Sequence, residues 1–171
     1  ANNNTAVGFR AMDKNTTGTN NVGIGMDAMR CNLTADNNTA VGTQALCKNT
    51  GAHNTAVGCG ALTSNTTSGE NTAVGFGALA AQTTGTPNTA FGNQTLCKLT
   101  TGSNNVGIGY RAMCDLTTGT QNVMVGVSTG QGITTGSENT GVGQNTMNAT
   151  VTGQGNAAFG YSNMTSLTSG S

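Results

Sequence analysis

The chain has 171 residues, with 27 glycines, one proline, no tryptophan and a formal net charge of zero, and charged residues make up only 7% of it, against about 25% in an ordinary soluble domain. That balance leaves no basic footprint for nucleic acid or an anionic membrane surface, and no apolar run approaches the roughly 20 residues that a membrane-spanning helix needs. Disordered chains are usually rich in charge and proline, and this one is poor in both, so its bulk of Asn, Thr, Gly and Ala must be ordered by a repeat.

Taken in chain order, an Asn opens each of ten Asn-Thr-Ala-Val-Gly-like words: Asn4, Asn21, Asn38, Asn54, Asn71, Asn88, Asn105, Asn122, Asn139 and Asn156. Successive openings lie 17 residues apart, except for the 16 between Asn38 and Asn54. One residue is therefore missing near Asn49-Thr50, and Asn54 is expected to hold its register. The consensus N-T-A-V-G-x-x-A-L-x-x-x-T-T-G-x-x defines positions 1 to 17 of a coil. Position 5 is Gly in every copy, from Gly8 to Gly160, and position 4 is always Val, Ile or Phe. Position 9 is Met or Leu in every copy but one, where Gly130 stands. Thr-Thr-Gly, as in Thr16-Thr17-Gly18 and Thr117-Thr118-Gly119, punctuates the second half.

Such a period is too short for two packed helices, and each Gly inside a helix would cost about 1 kcal/mol. Val, Ile, Thr and Phe between Gly turns read as short strands. The expectation is an all-β, parallel β-solenoid (a β-roll or β-helix) of ten 17-residue coils in a single array spanning 1–171. Each coil would hold a strand, a turn at the invariant Gly, a second strand and a turn at Thr-Thr-Gly. Stacking at about 4.8 Å makes a rod roughly 48 Å long.

Alternation along the strand places positions 2 and 4 on one face. Val22 with Ile24, Val106 with Ile108 and Val123 with Val125 mark that face as the core, closed by position 9. Position 3 (Ala six times, Gly23, Gly107, Gly141 and Met124) and position 8 (mostly Ala) then point outward. Outward alanine columns read as a packing surface for another subunit, since contiguous apolar patches are rare on monomers. Glu at Ala56 and Ala73 is then expected to break the assembly and spare the coil. Burial of so few large side chains also falls short of the ordering entropy, which points to partners. Ala1 already belongs to the repeat and neither end reads as a cap, so the chain reads as a slice of something longer.

The words "NNTAVGTQAL", "SNNVGIGYRAM" and "ENTAVGFGAL" resemble the head repeats of YadA-like trimeric autotransporter adhesins and the Asn-Thr-Ala-Val-Gly repeats of phage and algal-virus tail-fibre proteins. The resemblance covers nearly the whole chain and lies in scaffold positions, so it transfers no binding residue. It implies a left-handed β-roll, a homo-trimer, an extracellular, cell-surface or virion-surface location, and adhesion to a surface ligand such as a cell-surface glycan. Coils in adhesin heads are shorter than these.

Residues able to carry chemistry are few. The single His53 lies in the short coil without an acidic or Cys cluster beside it in sequence, and reads as a turn residue. Asp13, Asp27, Asp36, Glu70, Asp115 and Glu138 are scattered, with neither paired carboxylates nor calcium-loop spacing. No Cys-x-x-Cys zinc pair occurs. Gly23-Ile24-Gly25, Gly107-Ile108-Gly109 and Gly130-Gln131-Gly132 lack the remainder of a nucleotide-binding fingerprint. No catalytic, cofactor-binding or metal residue is assigned, and the chain is read as a non-enzyme. Cys97 and Cys114 share position 10 in adjacent coils, at a spacing within disulfide range. Two readings stay open for them, a bond or a pair of small buried fillers; Cys31 and Cys47 are offset by one place. The opening Asn column reads as an in-register ladder of side-chain amides. Glycosylation sequons stand at Asn3, Asn15, Asn32, Asn37, Asn65, Asn93, Asn148 and Asn163, where a glycan is permitted but not required.

Three functions compete. A structural or adhesive fibre segment fits every feature. An ice-binding solenoid would need a flat Thr ladder, and the column at position 2 (Thr5, Thr39, Thr55, Thr72, Thr89, Thr140) is interrupted and placed inward. A solenoid enzyme would need acids, Arg or His clustered on one face.

Overall fold

The computed structural model describes residues 2–149 and 153–164. Ten strands form one parallel sheet in chain order: β1 Thr5–Val7, β2 Val22–Ile24, β3 Thr39–Val41, β4 Thr55–Val57, β5 Thr72–Val74, β6 Asn88–Phe91, β7 Asn105–Ile108, β8 Val123–Val125, β9 Thr140–Val142 and β10 Ala157–Phe159. Each strand pairs with its counterpart one coil on, Thr5 opposite Val22 and Val123 opposite Thr140. The molecule is an all-β solenoid with 17-residue spacing. The short coil does not disturb the register, because Thr39 pairs with Thr55 and the Asn54 N–H reaches Asn38 Oδ1 at 2.8 Å. The missing residue is at position 14, since Thr50 aligns with Thr66 through both its N–H and its hydroxyl.

The sheet faces the opposite way from the sequence expectation. Position 3 is buried in all coils but the first, and positions 2 and 4 face outward. Position 8 is also interior, with Ala28, Ala45, Ala61, Ala78 and Ala112 fully buried. The reason is the narrowness of the coil. Position 9 sends a Met or Leu straight across it, and only a small residue fits beneath. A Cβ added to Gly23 would lie 2.8 Å from Met12 Cγ, and one on Gly107 2.7 Å from Thr95 Cγ2. The exception has its own compensation. Where position 9 shrinks to Gly130, position 3 of the same coil grows to Met124, which fills the space over that glycine. Ala56 and Ala73 are thus core residues, and Glu there would break the coil before it reached any interface.

The expected second strand is absent from the described residues. Positions 5 to 11 form a chain of tight turns in which positions 7 and 9 take positive φ, as at Arg10 (54°), Met12 (53°) and Leu46 (50°). The turn still carries hydrogen bonds between coils, in alternating directions. The Asp27 N–H points back to the Phe9 carbonyl, and the Met12 N–H forward to the Ala28 carbonyl, each at 2.9 Å. These bonds and the interior packing hold Leu and Met in a left-handed conformation that such residues otherwise avoid. Position 5 needs Gly twice over. Its φ lies near +130°, and a Cβ on Gly42 would come within 2.6 Å of the Gly58 carbonyl carbon.

Candidate functional surface

The interior is built from two amide columns. At position 1, each Asn N–H donates to the Oδ1 of the preceding Asn, from Asn21 on Asn4 (2.9 Å) to Asn156 on Asn139 (3.1 Å). In most coils the Nδ2 of the same residue closes its own coil on the position 15 carbonyl, as Asn21 does on Ala35 (2.8 Å) and Asn105 on Gly119 (2.9 Å), while Asn38 and Asn71 turn back to the Asp36 and Gly69 carbonyls. This satisfies amides that would otherwise be costly to bury.

A second column, missed in the sequence, stands at position 12. Asn32 Nδ2 donates to Asn15 Oδ1 at 3.1 Å, and Asn65 Nδ2 to Asn49 Oδ1 at 2.7 Å. Asn15 donates to the Gly18 carbonyl and Asn65 to the Ser68 carbonyl. The repeated Asn three residues before a small residue was the available signal, and the sequon reading obscured it. Asn32 and Asn65 have no exposure, so the folded chain offers no glycan acceptor at either. Asn15 is half-buried, with its amide engaged in the same ladder. Asn3, Asn37, Asn93 and Asn163 are exposed and Asn148 is half-buried.

All five cysteines are thiols in this structure. Cys97 Sγ contacts the Cys114 carbonyl at 3.5 Å. Burial, reinforced by the neighbouring Cys114, pushes the Cys97 thiol up to about 12. It is a weak nucleophile there. His53 lies at the rim with its ring nitrogen 3.4 Å from Asn37 Nδ2. The ion pairs tie adjacent coils, Arg10 with Asp27 (3.0 Å) and Lys98 with Asp115 (2.6 Å). Asp36 accepts both the N–H and the hydroxyl of Thr19, which hold its carboxyl below the usual carboxylate range. Among the described residues no three His, Cys, Asp or Glu side chains are grouped to hold a metal, and no helix is long and apolar enough to cross a membrane.

With the polar groups turned inward, the outer face of the sheet is the distinctive surface. Positions 2, 4 and 6 form three parallel columns along the rod. Among the described residues every large exposed hydrophobic side chain except Leu33 belongs to them, from Phe9 (68% exposed) through Ile108 (40%) to Tyr161 (73%). No Asp, Glu, Lys, Arg or His occurs at any of those positions. The strand columns at positions 2 and 4 run over ten coils at about 4.8 Å each and lie about 7 Å apart, with position 6 beyond them in the turn. The fold places the chain in the class of parallel β-solenoid repeat proteins. No protein-family model, curated protein or solved structure matches it.

Proposed function

We propose that this chain is a non-catalytic, structural and adhesive segment of an extracellular or virion-surface fibre, assembled with copies of itself, three in the simplest arrangement. The observation that supports this reading is the charge-free apolar face. A row of exposed Val, Ile and Phe running the length of the rod with no charge in it is unusual on a monomer, and another copy of the same face matches it in length, column spacing and polarity. The resemblance to adhesin heads and tail-fibre repeats points the same way. The contact columns are Thr/Val at position 2 and Val/Ile/Phe at position 4, in place of the alanine columns expected from sequence. Light scattering tests it. The 16.9-kDa chain is expected at a multiple of that mass, and Ile108→Lys with Val125→Lys should return it to a monomer with unchanged circular dichroism. A wild-type chain that stays monomeric at high concentration would sink the proposal.

One observation favours a second reading, an ice-binding solenoid. The sheet's orientation turns the position 2 threonines outward, and Thr39, Thr55, Thr72 and Thr89 form an unbroken run over four coils. Phe91 at 54% exposure and Phe76 at 55% stand beside that run and spoil its flatness. Thermal hysteresis that disappears in Thr55→Lys with Thr72→Lys would select this reading over assembly.

A further inference from the structure

The apolar face ends at a corner where position 7 follows position 6. In eight of the ten coils position 7 carries a side chain, from Arg10 to Ser162; in two consecutive coils it is Gly60 and Gly77. A Cβ on Gly60 would meet nothing within 4 Å, and one on Gly77 only Gln94 Cγ at 3.9 Å. The missing side chains leave a notch of about 330 Å³, open to solvent along one side. Phe76, Ala80, Thr63 and the sulfurs of Cys59 and Cys97 line it, with Gln44 of the third coil and Gln94 of the sixth at the two ends. The ends are three coils apart, or about 14 Å. No lining residue carries a formal charge at neutral pH.

We propose that this notch binds a neutral saccharide of one or two pyranose rings. The volume falls in the range of small-ligand sites, which are largely apolar with a few placed polar groups. The walls specify the ligand further. An aromatic ring, an alanine methyl, two cysteine sulfurs and bare glycine backbone, with Thr63 as a further polar group, require an apolar face on the ligand. The open side leaves the opposite face in water, so that face must be polar, and a wholly apolar ligand would gain little by entering. Neutral walls provide no counter-charge, which disfavours phosphates, carboxylates and amines. A sugar ring has an apolar C–H face, a hydroxyl rim and no charge, and the Gln44 and Gln94 amides can both donate to and accept from those hydroxyls. The length of the notch sets the limit of two rings.

This gives a place to the adhesive part of the function proposed above, yet the two can fail separately. Saturation-transfer NMR with methyl β-glucoside, methyl β-galactoside, methyl α-mannoside and cellobiose at millimolar concentration is the test, run on the wild type and on Ile108→Lys/Val125→Lys. At least one sugar is expected to show transfer in both chains, whatever their assembly state. Gly77→Gln fills the notch without straining the fold, because Gln44 and Gln94 hold the same backbone conformation at φ 58° and 54°, against 61° at Gly77. It should weaken binding at least tenfold, and Phe76→Ala likewise, with circular dichroism unchanged. No transfer from any of the four sugars, or transfer that survives Gly77→Gln, overturns the proposal. So does a Gly77→Gln chain that loses self-association while the wild type binds no sugar, because the notch would then receive a side chain of a second copy.

Discussion

Position 12 is solved in two opposite ways within one rod. In the first four coils it is Asn15, Asn32, Asn49 and Asn65; in the sixth to eighth it is Leu99, Leu116 and Ile133. Apart from the coil of Asn49, which is one residue short, coil length is shared, and apart from the half-buried Asn15 the side chains are fully buried in both stretches. The first is a hydrogen-bonded amide ladder, the second an aliphatic stack. A repeat column can therefore be polar or apolar, provided each residue finds its own kind above and below. The junction shows why. Gln82, in the fifth coil, donates to the Gly85 carbonyl, but its Oε1 has no partner. Along the ladder the Oδ1 of Asn15, Asn32 and Asn49 accepts from the next coil's amide, and that of Asn65 from the Ser68 hydroxyl; the next residue after Gln82 is Leu99.

The largest effect is expected from forcing the wrong solution into the apolar stretch. Leu116→Asn removes a fully buried leucine and leaves an amide between Leu99 and Ile133, with no side-chain partner in either coil. Cavity and desolvation together should cost about 4 kcal/mol, read as a lower denaturation midpoint. The reciprocal change, Asn49→Leu, should cost less, about 3 kcal/mol. It leaves the Asn65 amide with the Ser68 carbonyl alone, and removes the Oδ1 that also accepts from the Gly51 N–H at 3.2 Å and from Asn54 Nδ2 at 3.3 Å. A cost for Asn49→Leu below about 1 kcal/mol would mean the ladder is only tolerated and the comparison is empty.

Gln82→Leu sharpens the same point with the opposite sign. It removes the orphan oxygen and extends the leucine stack by one coil. Asn71, now donating to Ser68 Oγ and the Gly69 carbonyl, is then free to take the Gly85 carbonyl, as Asn88 takes Gly102. A gain of about 1–2 kcal/mol is expected, or about 4 °C in Tm for a chain of this size. An unchanged or lowered Tm would show that Gln82 is worth keeping for its amide.

Much of this architecture is legible in the sequence. The period sets coil number and register, and the invariant Gly marks one column. The facing of the strand was not legible by size alone. An alternating strand has two solutions that differ by which face is called the core, and the rule that large apolar residues go inside chose the wrong one. The coil interior is one Leu wide, so its other inward positions must be small. The decisive clue lay in the eighth coil, where Met124 and Gly130 exchange bulk between positions 3 and 9. Two positions that trade volume share a core. Position 12 was obscured for another reason, because an Asn followed by Thr two residues later also spells a sequon. The conformation of positions 7 and 9 has no comparable signal, since Arg, Gln, Leu and Met rarely announce a positive φ.

The smallest effect distinguishes the two halves by pH. In three coils the position 16 backbone N–H donates to a side chain of the next coil. Thr19 finds the Asp36 carboxylate at 2.6 Å, whereas Thr86 and Thr120 find the hydroxyls of Ser103 and Ser137, each at 3.0 Å. The Thr19 N–H and then its hydroxyl lower the Asp36 pKa from its ordinary 3.8. A depressed carboxylate contributes stability that is present above its unfolded pKa and lost as pH falls through the folded value. Asp36 is solvent-accessible, so the effect is local and screened. The Thr19 amide proton should therefore shift upfield as the pH drops below 3.8, with a midpoint under that value, while the Thr86 and Thr120 amides stay flat. In Asp36→Asn the Thr19 shift should lose its pH dependence. Equal titration of all three amides would mean that acid loosens the whole rod, and that the carboxylate and hydroxyl versions of this contact are not separable.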